Sequence, residues 1–270
     1  MLNFLKPKPL KLSNGKEIKQ PFNIAIIIVP IFIFLLIYFG RLTNFSFAVL
    51  LRRGHQFFVI IQAMFPINFS YLSTVINPMI ATIAMSFLGT VFAAVLSIPL
   101  AYLSSSNMNK NKISLQLIRF IMGILRTLPV LVFALILTYI FGVGTFAGTL
   151  AIFIFTLSII TKMFYEQIED VDMGPFEALE SSGASRIKCF FSAVMPQLKG
   201  QYISNILYNF EMNVRNAAIL GYVGAGGIGL LMNEKIGWRE YDKLIVILIV
   251  LLIVVVAIES ISRAIRKKVS

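Results

Sequence analysis

Four polar side chains that lie inside long apolar stretches are the residues of this sequence best suited to chemistry. They are Arg126, Glu211, Asn213 and Arg215. A guanidinium group can bind an oxyanion in bidentate fashion, and Glu211 and Arg215, four residues apart, can pair on one helical face, whereas Arg126 has no such local partner. In a bilayer each charge costs about 2.5–3.5 kcal/mol unless it finds a partner or a wet cavity. We therefore expect these residues either to line a translocation pathway or to hold helices together.

Residue counts and spacing exclude several other kinds of chemistry. One cysteine, Cys189, and one histidine, His55, cannot form an intramolecular disulfide or fill a tetrahedral metal site unaided. The phosphate-binding pattern G-x-x-x-x-G-K-[ST] is absent, since no lysine follows the glycines at 224–229. No nucleophile, base and orienting group come together in the sequence. We predict no enzyme activity, no metal and no cofactor, so any ATP chemistry must come from another chain.

The composition is that of a membrane protein. Of the 270 residues, 58% are hydrophobic and 13% are charged, against about 45–50% and about 25% in ordinary globular domains. A helix needs about 20 mainly apolar residues to cross the hydrocarbon core of a bilayer. The sequence has six such stretches, at 22–40, 77–103, 115–141, 144–161, 203–226 and 244–262. It therefore predicts an all-α polytopic membrane protein with six transmembrane helices.

The distribution of Lys and Arg predicts how these helices are oriented. With the N-terminus inside, the cytoplasmic segments hold 15 basic residues and the external segments hold six, and basic loops prefer the cytoplasm. Both termini are therefore expected to be cytoplasmic, and the net charge of +12 needs no nucleic acid to explain it. The first apolar run is long for a signal sequence and lacks a small-residue cleavage pattern, so we interpret it as an uncleaved anchor. The predicted divisions are a cytoplasmic segment 1–20, a first transmembrane helix 21–40, an external segment 41–76 and a core 77–266 that includes a cytoplasmic loop 172–196.

Two features are expected near the external face. Residues 54–65 have apolar side chains at helical spacing but are too few to cross the membrane, so they predict an amphipathic helix in the interface, with direct contact to a substrate or partner as the alternative. The fifth stretch ends in a glycine run that includes Gly224, Gly226 and Gly227. Small residues allow close helix packing in lipid, and the same residues could equally form a hinge or gate.

The longest predicted cytoplasmic loop has clear signals for helix boundaries. Pro175 suits the first turn of a helix and Gly183 suits its C-terminal end, so residues 176–182 are expected to form two helical turns. Ser185 can cap a second short helix, which is expected to stop before Pro196. The pattern predicts a bent pair of short helices below the membrane.

The same loop carries a family resemblance. Glu177-Ala178, Gly183 and Met195-Pro196 resemble the EAA loop of permease subunits of binding-protein-dependent ABC importers. That pattern reads E-A-A, three residues, G, nine residues, I-x-L-P. This chain departs from it in having Leu179, Ala193 and Met195 where the pattern has Ala, Ile and Leu.

A second resemblance narrows the family. Segments similar to the phosphonate-type permease are MFP (64–66), FSYL (69–72), LRTLP (125–129), GVGTFAG (142–148), FEMNVR (210–215) and LGYVGAGGIG (220–229). They cover most of residues 64–230 and occur in the family's order. Where that family is expected to carry an acidic residue after the proline at 129, this chain has Val130 and so has no carboxylate there.

The resemblance implies a type I ABC importer permease fold in a bacterial inner or plasma membrane. It implies partners as well: a second permease copy or a paralogue, cytoplasmic ATPase subunits, and an extracytoplasmic substrate-binding protein. Glu177 and Arg186 would be polar contacts to the ATPase, Ala178 and Gly183 would allow close approach, and Pro196 would end the docking loop. The alternative for the loop is a solvated amphipathic segment with no partner.

The function implied is that of the membrane-spanning permease subunit of an ATP-driven importer of phosphonates or related phosphorus oxyanions. An importer for another small solute, such as an amino acid, is an alternative, because EAA loops occur with many substrates. An ion-coupled carrier would be a different class, typically with inverted repeats or broken helices at the midplane, and no clear internal repeat is present.

Overall fold

A computed structural model describes residues 10–11, 17–18 and 25–269 of the chain. Within these ranges the regular elements are helices, apart from two-residue strands β1 (Leu10–Lys11) and β2 (Glu17–Ile18), which pair antiparallel. Contacts divide the chain into two units, Met1–Ile61 and Gln62–Ser270. Most of the predicted cytoplasmic segment 1–20, and the beginning of the predicted first span, lie outside the described residues.

The first unit contains the helix predicted at 21–40. Its helices are α1 (Ala25–Leu42), α2 (Phe47–Arg53) and α3 (His55–Ala63), the last of which reaches the start of the second unit. α3 coincides with the helix predicted at 54–65, whereas α2 is an addition to the prediction. Apolar side chains such as Phe34 and Leu36 are exposed along α1. A surface of this kind is unfavourable in water, so we expect lipid to cover it.

The second unit is built from helices joined by short connections. These are α4 (Leu72–Ser104), α5 (Lys112–Thr127), α6 (Val130–Phe141), α7 (Thr145–Asp170), α8 (Gly174–Ser181), α9 (Arg186–Cys189), α10 (Met195–Leu220), α11 (Ile228–Gly237) and α12 (Tyr241–Val269). Three of them, namely α4 with the 3₁₀ turn before it, α7 and α12, are long and apolar enough to cross a membrane alone. Two bent pairs in this unit, and the pair of α1 with α2 and α3 that begins in the first unit, can each supply one further span, which gives up to six crossings for the described residues by length and composition.

The prediction of one helix over 115–141 is wrong, because the chain turns by 89° between α5 and α6. Leu128 has an extended conformation (φ −87°, ψ 129°), and Pro129 caps α6. Proline lacks an N–H and its ring disfavours a helical conformation in the residue before it. The stretch is helical and apolar as predicted, but the proline divides it into two helices.

The second predicted cytoplasmic helix does not stop before Pro196. α9 continues through a π-helical turn, Phe190–Val194, directly into α10. The N–H of Met195 donates to the carbonyl of Phe190, five residues back. Pro196 then falls in the first turn of the restarted helix, where its missing N–H is tolerated. The loop is therefore one short helix followed by the N-terminal end of a long one.

α4, α7 and α10 form the centre of the second unit and approach one another through small residues. A Cβ on Gly89 of α4 would lie 2.7 Å from Cγ2 of Ile152 on α7, and Ala93 and Ala151 are fully buried. In lipid, small residues let backbones come close and so increase van der Waals contact between helices. This packing places the polar face of α10 between two neighbouring helices.

Candidate functional site

The coupling segment, residues 172–196, presents an exposed surface on a buried base. Glu177, Ala178 and Gly183 are exposed, as is most of Ile187, at 63%. Phe176, on the opposite face of α8, is 1% exposed and packs in a core cluster with Phe164, Cys189 and Phe190. A short helix held by one deeply buried aromatic ring can keep a defined orientation while its other face stays open to a partner.

Gly183 ends α8 as the sequence predicts, and its backbone explains why a glycine suits the position. Its φ is +90°, a left-handed conformation that other residues adopt at a cost. The N–H of Gly183 donates to the carbonyl of Glu180 at 3.0 Å, and the N–H of Ala184 donates to the carbonyl of Leu179 at 3.2 Å. A Cβ on Gly183 would meet nothing within 4 Å. The requirement for glycine here is therefore conformational within the chain, and the open space beside it leaves room for a partner.

Arg186, which was predicted to contact the ATPase, is engaged within the chain. Its Nη1 donates to Oε1 of Glu180 at 2.8 Å, and its Nη2 donates to the carbonyls of Asn107 and Met108 at 3.0 and 3.2 Å. The guanidinium carbon lies 5.3 Å from the centre of the Phe176 ring. The predicted residues thus separate into an exposed group on α8 and its turn, an exposed Pro196 at the start of α10, and an arginine directed toward the 105–111 loop.

Asn213 is buried, 2% exposed, and its side chain joins three helices. Its amide nitrogen donates to Oγ1 of Thr90 on α4 at 2.8 Å and to Oγ1 of Thr156 on α7 at 2.9 Å. Both threonines were missed in the sequence, because a lone threonine in an apolar helix has no local pattern that marks a partner. With both amide protons used, these contacts favour a role in packing for Asn213.

Glu211 and Arg215 form the predicted ion pair and extend it to α12. Nη2 of Arg215 lies 2.5 Å from Oε1 of Glu211 and 3.5 Å from Oε2 of Glu259, and Nη2 of Arg266 lies 3.7 Å from Oε2 of Glu211. Glu259 also pairs with Arg263 at 2.5 Å. The residues that α12 contributes, Glu259, Arg263 and Arg266, were not predicted, because they are far from Glu211 and Arg215 along the chain. The network therefore links α10 to α12. This is the arrangement expected if Glu211 and Arg215 hold helices together rather than line a translocation pathway.

Arg126 differs from the other arginines inside the predicted spans. Arg119 pairs with Glu169 at 2.5 Å and Arg215 pairs with Glu211. Nη1 of Arg126 is buried and has no hydrogen-bond partner among the described residues. A buried donor without a protein partner is costly, so it calls for a partner such as a water molecule or a bound anion. Arg126 lies in the last turn of α5, beside the 89° break.

A groove of about 220 Å³, partly open at the surface, lies between α4, α10 and α12. Its walls are mainly apolar, with Phe87, Phe210 and Ile258 among them, and no charged side chain lines it. An oxyanion would lose its hydration there without gaining a charged partner. This groove is therefore unsuited to the substrate class that the sequence predicts.

The glycine run forms a close contact between backbones. A Cβ on Gly221 would lie 2.0 Å from the carbonyl carbon of Gly229. Gly224, Gly226 and Gly227 have φ between +70° and +80°, and the carbonyl of Gly224 accepts a hydrogen bond from Gly144 N–H at 2.9 Å. These contacts favour the packing interpretation over a hinge.

A charged cluster at the α11–α12 turn is a further feature that the sequence did not reveal. Lys235 lies 2.9 Å from Oε2 of Glu240, and Lys243 lies 2.7 Å from Oε1 of the same carboxylate. The hydrogen bonds from Lys243 and Lys235 hold the pKa of the Glu240 carboxyl below its ordinary value. Asn68, before α4, donates to Asp242 at 3.4 Å. The cluster fixes the start of α12 to the start of α4.

No group of three or more metal-ligating side chains occurs within the described ranges.

The helical architecture and the helices long and apolar enough to span are those of a multi-pass membrane protein, with an exposed segment between α7 and α10. The profile of the family described as "binding-protein-dependent transport system inner membrane component" matches residues 97–270. The chain therefore belongs to that family.

Individual relatives agree with this family. The putative phosphite transport system permease protein HtxC of Stutzerimonas stutzeri is 38% identical over 203 residues, 75% of this chain and 72% of that protein. The phosphite transport system permease protein PtxC of the same organism is 33% identical over 202 residues, 75% and 74% of the two chains. A chain of the MetNI methionine ABC transporter in an inward-facing conformation has a TM-score of 0.64 at 21% identity, covering 73% of this chain and 96% of that chain. The last comparison shows a shared type I ABC importer permease fold.

Family membership confirms several predictions. The chain is a permease subunit of an ABC importer and a multi-pass bacterial membrane protein rather than an enzyme, and a separate partner supplies the ATPase. The family also implies a substrate-binding protein and a second permease. Broken helices, which the sequence analysis associated with ion-coupled carriers, are present here as well. Broken helices therefore do not distinguish an ion-coupled carrier from an ABC importer permease, whereas membership of the family does.

Proposed function

We propose that this chain is the membrane-spanning permease subunit of an ATP-driven importer of phosphonates or related phosphorus oxyanions. The observation that carries the proposal is the similarity to two phosphite permease proteins over three quarters of the chain. The phosphonate-type segments at 125–129 and 210–229 support the same substrate class. Phosphite and phosphonate both present ionised oxygens on tetrahedral phosphorus, so similar donors can bind either.

The coupling segment is the proposed docking site for the ATPase. Glu177, Ala178 and Gly183 would form the contact surface, which is supported by their exposure and by the buried Phe176 beneath them. Pro196 would mark the point at which the segment joins α10. A rigid element of this kind can pass a displacement on, because allosteric coupling requires a part of the protein that both sites bias.

The proposed orientation places both termini in the cytoplasm. The excess of basic residues in the segments then inside, 15 against six, supports it. The end of α12, with Arg266, Lys267 and Lys268, would lie at the inner surface. In this orientation the segment 41–76 is external, and α3 would lie in the outer interface of the membrane. An external binding protein would deliver substrate to two permease subunits, and these would dock two ATPases on the cytoplasmic side.

Arg126 is the proposed oxyanion contact on the pathway. Of the four predicted pathway residues, Asn213, Glu211 and Arg215 have partners on neighbouring helices. Nη1 of Arg126 is buried without one among the described residues. A guanidinium donor left free in this way can bind a phosphorus oxyanion during transit, and the absence of a carboxylate at Val130 leaves that charge uncompensated locally.

Reconstitution tests the substrate class. The chain is assembled in vesicles with its ATPase and binding protein, and ATP hydrolysis is measured with alkylphosphonate, phosphite or methionine added. We expect phosphonate or phosphite to stimulate hydrolysis and to be taken up. Stimulation by methionine alone would refute the proposed substrate class while leaving the transporter class intact.

Two variants test the proposed sites in the same vesicles. Gly183→Asp should leave the subunit in the membrane but uncouple hydrolysis from uptake, and normal transport by it would refute the docking surface. Arg126→Gln should raise the KM for phosphonate on the order of tenfold, the loss expected for a hydrogen bond to a charged group. Arg119→Gln is the matched control, because that arginine pairs with Glu169. Its removal should lower stability and leave KM unchanged, so equal effects of the two variants on KM would refute the role of Arg126.

A further inference from the structure

Arg186 holds two parts of the chain together at the predicted cytoplasmic face. We call its contacts the Arg186 clip: the ion pair with Glu180 at 2.8 Å and the hydrogen bonds to the carbonyls of Asn107 and Met108 at 3.0 and 3.2 Å. Glu180 belongs to α8, and the two carbonyls belong to the 105–111 loop that joins α4 to α5. Among the described residues, no other polar link between the coupling segment and this loop involves a charged side chain.

The loop that receives the clip is itself firmly attached to three helices. The side-chain amide of Asn107 donates to the carbonyl of Ile168 on α7 at 2.6 Å. The N–H of Ser106 donates to Oε1 of Glu169 at 2.6 Å, and Arg119 of α5 donates to the same oxygen at 2.5 Å and to the carbonyl of Ser104 on α4 at 2.7 Å. Movement of the loop therefore has to displace the ends of α4, α5 and α7 together.

The chemistry of the clip needs an arginine. Its planar fork supplies one donor to a carboxylate and another to two backbone carbonyls, while the guanidinium lies over the Phe176 ring. A lysine keeps the charge but cannot reproduce the fork, and a carboxylate at 186 could not donate to either carbonyl. The contacts to the carbonyls thus distinguish the clip from an ordinary ion pair at a surface, which contributes little.

We propose that Arg186 is a positioning residue that transmits displacement of α8 to the 105–111 loop and thereby to α4 and α5. Without the clip, α8 is linked to the spans by its flanking connections to α7 and α10, by the packing of Phe176 and Leu179, and by the contact of Asn107 Nδ2 with Sδ of Met173 just before α8. With it, the docking helix and the ends of three spans move as one body. The inference rests on the proposed function, because it assumes that the ATPase acts on the coupling segment. It differs from the prediction that Arg186 touches the ATPase.

The experiment compares variants of the complete reconstituted transporter by the amount of substrate taken up per ATP hydrolysed. Arg186→Ala should keep the ATPase bound and hydrolysing, while this ratio falls about fivefold or more, the lower end of typical allosteric couplings. Arg186→Lys should restore part of the ratio. Lys199→Ala is the matched control, since Lys199 is an exposed basic residue of α10 outside the coupling segment, and it should match the wild type.

A charge reversal separates the clip from its ion pair alone. In Glu180→Arg combined with Arg186→Glu the ion pair can form again, but the carbonyls of Asn107 and Met108 have no donor. We expect the ratio to stay low in this double variant. In Glu180→Gln the side-chain oxygen can still accept a hydrogen bond from Arg186, so the ratio should fall less than in Arg186→Ala. Recovery by the reversal would refute the role of the carbonyl contacts.

ATPase binding and the uptake ratio, measured for Arg186→Ala and Gly183→Asp, distinguish failure of this inference from failure of the proposed function. If Arg186→Ala releases the ATPase from the membrane complex, Arg186 is a docking contact and the inference is wrong. If the ratio is unchanged while Gly183→Asp uncouples the transporter, the inference fails and the proposed function stands. If Gly183→Asp also transports normally, the docking assignment itself fails. Hydrogen exchange of residues 105–111 with and without ATP gives a second readout: the difference present in the wild type should be lost in Arg186→Ala and partly retained in Arg186→Lys.

Discussion

Replacement of Asn213 by alanine tests whether this residue serves packing or transport. The change removes two hydrogen bonds between helices, to Thr90 and to Thr156, each worth about 0.6 kcal/mol on average in a membrane protein. Thr90 keeps a bond from its hydroxyl to the carbonyl of Ser86 at 2.6 Å. Thr156 has no other hydrogen-bond partner within the described part of the chain, and a buried hydroxyl left unsatisfied costs about 1–3 kcal/mol. We therefore expect Asn213→Ala to lower the free energy of unfolding by about 2–4 kcal/mol.

The assay is equilibrium unfolding of the subunit in mixed micelles, with uptake measured at a temperature where all variants are folded. Thr156→Val removes the hydroxyl that would be left without a partner, so Asn213→Ala with Thr156→Val should be no less stable than Asn213→Ala alone. The KM for substrate should stay unchanged in each variant. An unchanged stability together with an altered KM would refute the packing role and return Asn213 to the pathway.

Two further predictions concern the turns on either side of α11. Gly221→Ala should destabilise the subunit by about 1–3 kcal/mol or more, because the new Cβ overlaps the backbone of Gly229; Gly123→Ala, in open space on α5, should leave stability equal or slightly higher in the same unfolding assay. Glu240 has a lowered pKa through its bonds from Lys243 and Lys235, so the stability it contributes is fully present above the ordinary carboxyl pKa and is lost as pH falls through the lowered value. Unfolding measured across this acidic range should therefore depend less on pH in Glu240→Gln, and identical profiles would contradict the assignment.

Features encoded in short stretches of sequence were predicted well. The helix α8 follows from Pro175 at its start and Gly183 at its end, and the φ of +90° at Gly183 confirms the reason for that glycine. The Glu211–Arg215 ion pair follows from the spacing of one helical turn. Such features depend on residues within a few positions of one another, so propensity and spacing are enough to find them.

Helix breaks were harder to predict, although their residues are visible in the sequence. The apolar run at 115–141 is long enough for a span, so it predicted one helix. Pro129 entered the prediction only as part of the family segment 125–129 and not as a helix break. Whether a proline kinks a helix or divides it depends on the conformation of the preceding residue, here the extended Leu128. Pro196 shows the opposite outcome, since a π-helical turn before it lets the helix continue. The surrounding packing decides between these cases.

The sequence by itself determined that this chain is a helical membrane protein, which of its segments are apolar enough to span, and which loop resembles a docking site. Only the tertiary structure decided the long-range partners of the charged side chains. Arg119 meets Glu169 fifty positions away, Arg215 meets Glu259 forty-four positions away, and Arg186 meets the carbonyl of Asn107 seventy-nine positions away. The physical reason is that a charge in a low-dielectric environment must find compensation wherever helix packing brings a partner, and packing between helices distant in sequence leaves no local pattern to read.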